Sequence, residues 1–239
     1  MPKPVGFDQK IQLKHLNFTA DELRFSERKV MYTKLEEYLG DDIHGLKSRK
    51  NAITILMKIW CLVQPDQQKL QRTALSLFAE ASPEEKLLLH WGMILLAYPF
   101  FKAVTDEMGN FFKLQNEVPS QQLGRRIKLL YGDRRRVEVA LSAVLGSLNA
   151  WGVVQRGPRN IYTLARRVEV ADVSLKNWLV EVILRVSSYK AMPLEMLTAQ
   201  NIFFPFDYKL SIAEIDTKKM NIDRQGLNVS MISLRNEDG

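Results

Sequence analysis

Few side chains in this chain have the chemistry for catalysis. Its histidines are His15, His44 and His90, and its one cysteine is Cys61. The turn "DDIH" places Asp41, Asp42 and His44 together, types that could ligate a divalent cation, but no second ligand group accompanies them. His90 falls inside the apolar run "LLLHWGMILLAYPFF" and reads as a hydrogen-bonded core residue rather than a ligand. Cys61 lies between Trp60 and Leu62 and reads as an inert buried thiol. No glycine-rich phosphate loop, Gly-x-Ser-x-Gly elbow or Cys-x-x-Cys pair is present. The expectation is a protein that is not an enzyme and carries no cofactor.

What the residue types do offer is anion binding. The stretch "LLYGDRRRVEVALSAVL" begins a helix at Asp133, read as the N-cap, so that Arg134, Arg135 and Arg136 crowd its first turn. Cations there oppose the helix macrodipole at about 0.3–1 kcal/mol each, whereas an anion in front of that turn is favoured. The surrounding charge has the same sense. Residues 119–167 carry ten Lys/Arg against two acids, which makes +8. The formal net charge is +7, so the other residues sum to −1. A block of this kind suits a polyanion-facing patch.

The elements that must position these residues follow from apolar periodicity. The first hundred residues read as helices: Thr19 and Glu22 have capping-box spacing, a stripe runs from Val30 to Leu39, another helix starts at Ser48 and stops before Pro65, and "SPEE" at 82–85 opens a further one. Ser120 is read as the cap of a short helix with Leu123, Ile127, Leu130 and Tyr131 inward. The arginine-led helix turns Val137, Leu141, Val144, Leu148 and Trp151 to the core, and "VVQR", "GPRN" and "IYTL" make a hairpin. The outward face of the long helix, Val139, Ala143, Gly146 and Ala150 with Ser142 and Ser147, is small and apolar. That composition predicts close approach of another backbone and weak base reading.

From Phe100 to Arg167 the order is helix, short helix, tight turn, longer helix and two-stranded hairpin, with "LNAWGVV" at the transition. This order resembles a winged-helix module. The resemblance implies double-stranded DNA as partner, with Arg134, Arg135 and Arg136 facing phosphates or guanine edges. It puts Arg125, Arg126 and Lys128 on the backbone, Arg156, Arg159 and Asn160 of the wing in a flanking groove, and Ser142 on the exposed side of the long helix. The expected architecture is mainly α: a helical domain over 1–98, a winged helix with a β-hairpin wing over 99–167, and a small α+β domain over 168–239, itself possibly a second winged helix. No sequence repeat marks that last region. The expected role is non-catalytic DNA binding, as a regulator or as the DNA-contacting subunit of a larger complex. The alternative is a protein–protein adaptor subunit that uses the winged helix as its interaction module, with protein partners or a homodimer, and "FFPF" (203–206) as an apolar anchor. RNA is a third reading, but Tyr131, Trp151 and Tyr162 are expected to be committed to packing.

One cysteine excludes an internal disulfide and fits a reducing compartment. The N-terminal stretch has no apolar run of signal-peptide length. The longest apolar run, residues 87–101, falls short of the roughly 20 residues a membrane span needs. A cytoplasmic protein without membrane contact is expected.

Overall fold

Apolar spacing in the first half of the chain is realised as six helices. In the computed structural model, which describes residues 3–225 and 229–235, they are α1 (Leu13–Leu23), α2 (Met31–Gly40), α3 (Leu46–Leu56), α4 (Gln68–Phe78), α5 (Pro83–Ala97) and α6 (Pro99–Leu114). Then follow β1 (Glu117–Pro119), α7 (Ser120–Tyr131), α8 (Arg135–Ala150), β2 (Val154–Arg156), β3 (Ile161–Leu164) and β4 (Val168–Glu169). The last part holds α9 (Val173–Val186), β5 (Ala191–Pro193), α10 (Leu194–Thr198), β6 (Phe206–Asp207), β7 (Met220–Gln225) and β8 (Val229–Leu234). The protein is mainly helical, with small two- and three-stranded sheets confined to the second half.

Helix starts depend on which polar group can reach a free N–H. At α5 the Ser82 hydroxyl accepts from the Glu85 N–H and the Glu85 carboxylate accepts from the Ser82 N–H, with Pro83 at the first position, as the sequence predicts. At α1 the prediction fails. Thr19 lies inside the helix, where its hydroxyl donates to the His15 carbonyl, and the reciprocal cap is made instead by Gln12 and His15. The helix before Pro65 starts at Leu46 rather than Ser48, and its continuation Met57–Cys61 relaxes into a π-helical turn.

The core is organised around α5. Residues Leu87–Leu95 of this helix are all buried, so it is apolar on every side and needs neighbours all round. Gly92 lets the Trp178 ring of α9 lie against it; a Cβ there would sit 2.3 Å from the ring. Gly109 of α6 does the same for the backbone of Asn201, whose carbonyl oxygen would be 2.2 Å from a Cβ. His90 is fully satisfied. Trp60 Nε1–H donates to its Nδ1 at 3.2 Å, so Nε2 carries the proton and meets Asn17 Oδ1 at 2.8 Å. Burial, with some contribution from Lys86, pushes its pKa down to about 3. Among the described residues no single helix is long and apolar enough to cross a membrane, and α5 and α6 together are bent by 119°.

The segment from α6 to β3 forms a helical layer backed by a three-stranded antiparallel sheet of order β1-β3-β2, with Val118 opposite Tyr162 and Gln155 opposite Thr163. The C-terminal part repeats this plan. Its antiparallel sheet has the order β5-β8-β7, with Met192 opposite Ile232. Helix α9 begins at 173 where α6 begins at 99, and β5 begins at 191 where β1 begins at 117, the same offset of 74 (173 − 99 and 191 − 117). Each first strand ends in a proline that is the N-cap of the next helix, Pro119 and Pro193. Buried Val118 and Leu123 in the first copy answer to buried Met192 and Leu197 in the second. The second copy lacks a counterpart of α8, having only short 3-10 turns at Asn201–Phe203 and Ile212–Glu214, so the similarity survives in topology and not in sequence. The "FFPF" stretch is core: Phe203, Phe204 and Phe206 are buried, which removes it as an exposed anchor. The turn expected at Gly226 lies outside the described residues.

Two outcomes follow from this packing. Gly109→Ala must displace backbone, and urea denaturation should register a loss of about 1–3 kcal/mol. Because folding holds His90 neutral while the unfolded chain protonates it below about pH 6.5, its contribution is complete above that pH and is lost as the pH falls towards 3. The urea midpoint of wild type should therefore drop between neutral pH and pH 5 by more than that of His90→Gln, which keeps an acceptor for Trp60.

Candidate nucleic-acid interface

Helix α8 begins one residue later than the sequence suggests. Arg134 is its N-cap residue, in extended conformation, and no side chain caps it. Asp133 instead pairs with Lys128 at 2.8 Å. Only Arg135 and Arg136 therefore occupy the first turn, together with Glu138, which offsets part of their charge.

The three arginines have three different fates. The Arg134 guanidinium folds back and donates to the carbonyls of Tyr131 at 2.8 Å and Lys3 at 3.0 Å. Tyr131 is the last residue of α7, so this cation sits at the negative end of one helix rather than the positive end of the next. One terminal nitrogen of Arg134 is thereby occupied within the protein. Arg136 reaches Asp8 at 3.8 Å. Arg135 is exposed and has no acidic partner among the described residues. Two of the three cations are thus neutralised or occupied within the protein, and the helix N-terminus needs no external anion to explain them.

The rest of the basic block divides in the same way. Arg126 pairs with Glu107 at 3.1 Å and stacks over the Phe111 ring, which commits it to α6. Lys128 is bracketed by Asp133 and by Glu138 at 2.5 Å, hydrogen bonds that hold its pKa above the ordinary lysine value. Arg166 pairs with Glu84 of α5 at 2.9 Å. Acids from outside the block, Asp8, Glu84 and Glu107, therefore cancel charges that the local count leaves unopposed.

Arg125, Arg135, Arg156, Arg159 and, beyond the hairpin, Arg167 remain exposed without an acidic partner among the described residues. Three of them surround α8. Arg125 and Arg156, with Ser120, Gln121, Asn160 and Ser142, line a cleft of about 440 Å³ between α7, α8 and the hairpin, floored by Val137, Leu141 and Tyr162. Arg135 and Arg156 line a second groove on the other flank of α8. Arg156 is held in place by Asn160, whose Oδ1 accepts from its Nε at 2.8 Å and also from its terminal nitrogen. Arg159 forms the tip of the hairpin with φ of +54°, beside Asn160 at +58°. An arginine in the left-handed region costs about 1 kcal/mol that glycine would not. Strain of this kind is common where a side chain must be presented.

Ser142 is exposed and lines both grooves, in a ridge with Glu138, Val139 and Asn149. The expected close approach along the small-residue face is made by the chain's own N-terminal segment. The Ile11 N–H donates to Ser147 Oγ at 2.9 Å, Trp151 Nε1–H donates to the Ile11 carbonyl at 2.9 Å, and the Lys10 side chain lies over Gly146. Ala143 and Ser147 are buried under this strap. Tyr131, Trp151 and Tyr162 are buried as expected, whereas Leu130, expected inward, is exposed because α7 turns it away from the core.

Of the catalytic candidates, Asp42 and His90 are tied up in structural contacts and Cys61 is buried, whereas Asp41 and His44 are exposed. Asp42 of the "DDIH" turn accepts from Lys14 at 2.6 Å and from His15 at 3.1 Å, and its carboxyl is held below the usual range by those bonds. Among the described residues no group of three or more His, Cys, Asp and Glu could hold a metal ion. Burial pushes the Cys61 thiol up to about 12.

Arg134→Ala removes two charge-assisted hydrogen bonds on a half-buried side chain. It should cost about 1–2 kcal/mol of stability by urea denaturation and leave the affinity for a polyanion unchanged.

No protein-family model, curated protein or solved structure matches this chain.

Proposed function

We propose that the protein is a non-catalytic, double-stranded DNA-binding protein of winged-helix type that grips mainly phosphates and reads sequence weakly. The observation that carries this reading is the placement of the unopposed arginines. After internal pairing removes Arg126, Lys128, Arg134, Arg136 and Arg166, those left around α8 and the hairpin are Arg125, Arg135, Arg156 and Arg159. Guanidinium groups suit phosphate oxygens because two parallel donors meet two acceptors. The helix–strand–helix–helix–strand–strand order with its β1-β3-β2 sheet supports α8 as the element that faces the duplex and the β2–β3 hairpin as the wing. The exposed ridge of α8 offers Val139 and Ser142 rather than long amide or guanidinium side chains beyond its first turn, which favours positioning over base discrimination. The burial of His15 and His90 and the inert thiol favour a binding protein over an enzyme, and a free thiol fits action in the cytoplasm.

The test is fluorescence anisotropy of a random-sequence duplex across a salt series. Each phosphate neutralised contributes about −0.9 to the log–log slope. Replacing Arg125, Arg135, Arg156 and Arg159 together by alanine should make the slope shallower by about 3–4, while the Arg126→Ala, Arg166→Ala double variant keeps the wild-type slope. Failure of wild type to bind at low salt overturns the proposal in favour of an adaptor that uses the same face for an acidic protein partner.

A further inference from the structure

The second groove along α8 runs between the N-terminal strap and Arg156 and Tyr162 of the hairpin, and the strap is built with more care than a core seal needs. Phe7 and Ile11 are its two anchors, both buried. Phe7 takes a φ of +63°, unusual for an aromatic residue, to place its ring 5.5 Å from Tyr98 and 5.6 Å from Phe101. Gly6 just before it lies so close to Tyr98 that a Cβ would sit 2.9 Å from that ring. Ile11 is locked at both backbone groups, its N–H to Ser147 Oγ and its carbonyl to Trp151 Nε1–H. Between the anchors the chain carries three polar residues, Asp8, Gln9 and Lys10, and all three line the groove with Arg135, Asn149 and Arg156.

Their charges divide the work. Asp8 reaches Arg136, which ties the strap to the first turn of α8. Lys10 is exposed, has no acidic partner among the described residues, and lays its stem along Gly146, with Lys10 Cδ at 3.7 Å from a Cβ built there, an ordinary van der Waals distance. Its stem packing places Lys10 in the lining of a groove that already holds Arg135 and Arg156, neither with an acidic partner among the described residues. Fixing a cation in advance reduces the ordering cost of binding.

We infer that the strap is part of the polyanion site and that Lys10 is a phosphate-contacting residue on the strap side of α8, across the groove from Arg156 of the wing. This rests on the DNA-binding reading above. It makes the site composite: α7, α8 and the hairpin supply one part, and residues far away in sequence supply the other.

The test uses the full chain and the same salt-series titration of a random-sequence duplex, with Lys10→Ala, Lys10→Arg and, as a control for net charge, Lys50→Ala on α3. Lys10 makes no buried contact that folding depends on, and circular dichroism checks that each variant keeps the wild-type melting temperature. The expected result is a slope shallower by about 0.9 for Lys10→Ala, restored by Lys10→Arg, and unchanged for Lys50→Ala. A wild-type slope for Lys10→Ala, in a protein whose slope does fall on Arg135→Ala, overturns the role of the strap and leaves the DNA-binding reading standing. Equal losses for Lys10→Ala and Lys50→Ala overturn it as well, because net charge alone would then account for them. No binding by wild type overturns both.

Discussion

The burial of Trp91 holds the three parts of this protein in one arrangement. This side chain of α5 has no exposed surface, and its ring lies 5.2 Å from Phe101 of α6, 6.3 Å from Trp151 after α8, and 5.6 and 5.5 Å from Phe204 and Phe206 of the C-terminal part. Its Nε1–H donates to the Ile202 carbonyl at 2.8 Å, so the one polar atom of the ring is satisfied without water. Phe7 of the strap joins the same cluster through Phe101 and Trp151. The helical first part, the central unit and the repeated C-terminal unit therefore share a single aromatic centre. Aromatic residues suit this work because each buries a large area and packs edge-to-face on several neighbours at once.

That common centre also decides the electrostatics. Bringing α5, α6 and the strap against the basic block delivers Glu84, Glu107 and Asp8 to Arg166, Arg126 and Arg136. None of these pairs is deeply buried, and each contributes little to stability at the surface. Their consequence is selective: they remove cations from some places and leave them at others. A block that counts +8 along the chain becomes a sparse set of arginines around α8 and the hairpin, with Lys10 added from the far end of the sequence. The repeated unit shows the same plan without that use. Its counterpart of the α7–α8 region is shortened, and Lys176 and Lys219 are paired with Glu214 and Glu181 against α9.

Much of the fold was legible where a local rule has a single solution. Ser82-Pro83-Glu84-Glu85 could only begin a helix, the apolar run after it could only be buried, and Val137, Leu141, Val144, Leu148 and Trp151 marked the inward face of α8. Helix starts were less legible where several polar residues competed: Thr19 and Asp133 had the right types, but Gln12 and Arg134 took those positions. The duplication showed only as a loose echo of element order, because a β1-β3-β2 pairing constrains only the burial of residues such as Val118 and Met192, and many apolar types meet that requirement. Of the ten candidate site residues, Ser142, Arg125, Arg135, Arg156, Arg159 and Asn160 lie at the exposed face, whereas Arg126, Lys128, Arg134 and Arg136 are drawn into internal contacts.

The sequence by itself determined the helical content, the identity of the central buried helix and the location of the basic block, since periodicity, capping and charge count are properties of neighbouring residues. Only the tertiary structure decided which cations remain unpaired, because the acids from outside the block that cancel them arrive from 19 (Glu107 to Arg126) to 128 (136 − 8) positions away in elements whose packing no local pattern encodes. It likewise decided that the small face of α8 is covered by the chain's own strap. A stripe of small residues permits close approach, but what approaches is fixed by the anchors Phe7 and Ile11 and by the aromatic centre that receives them.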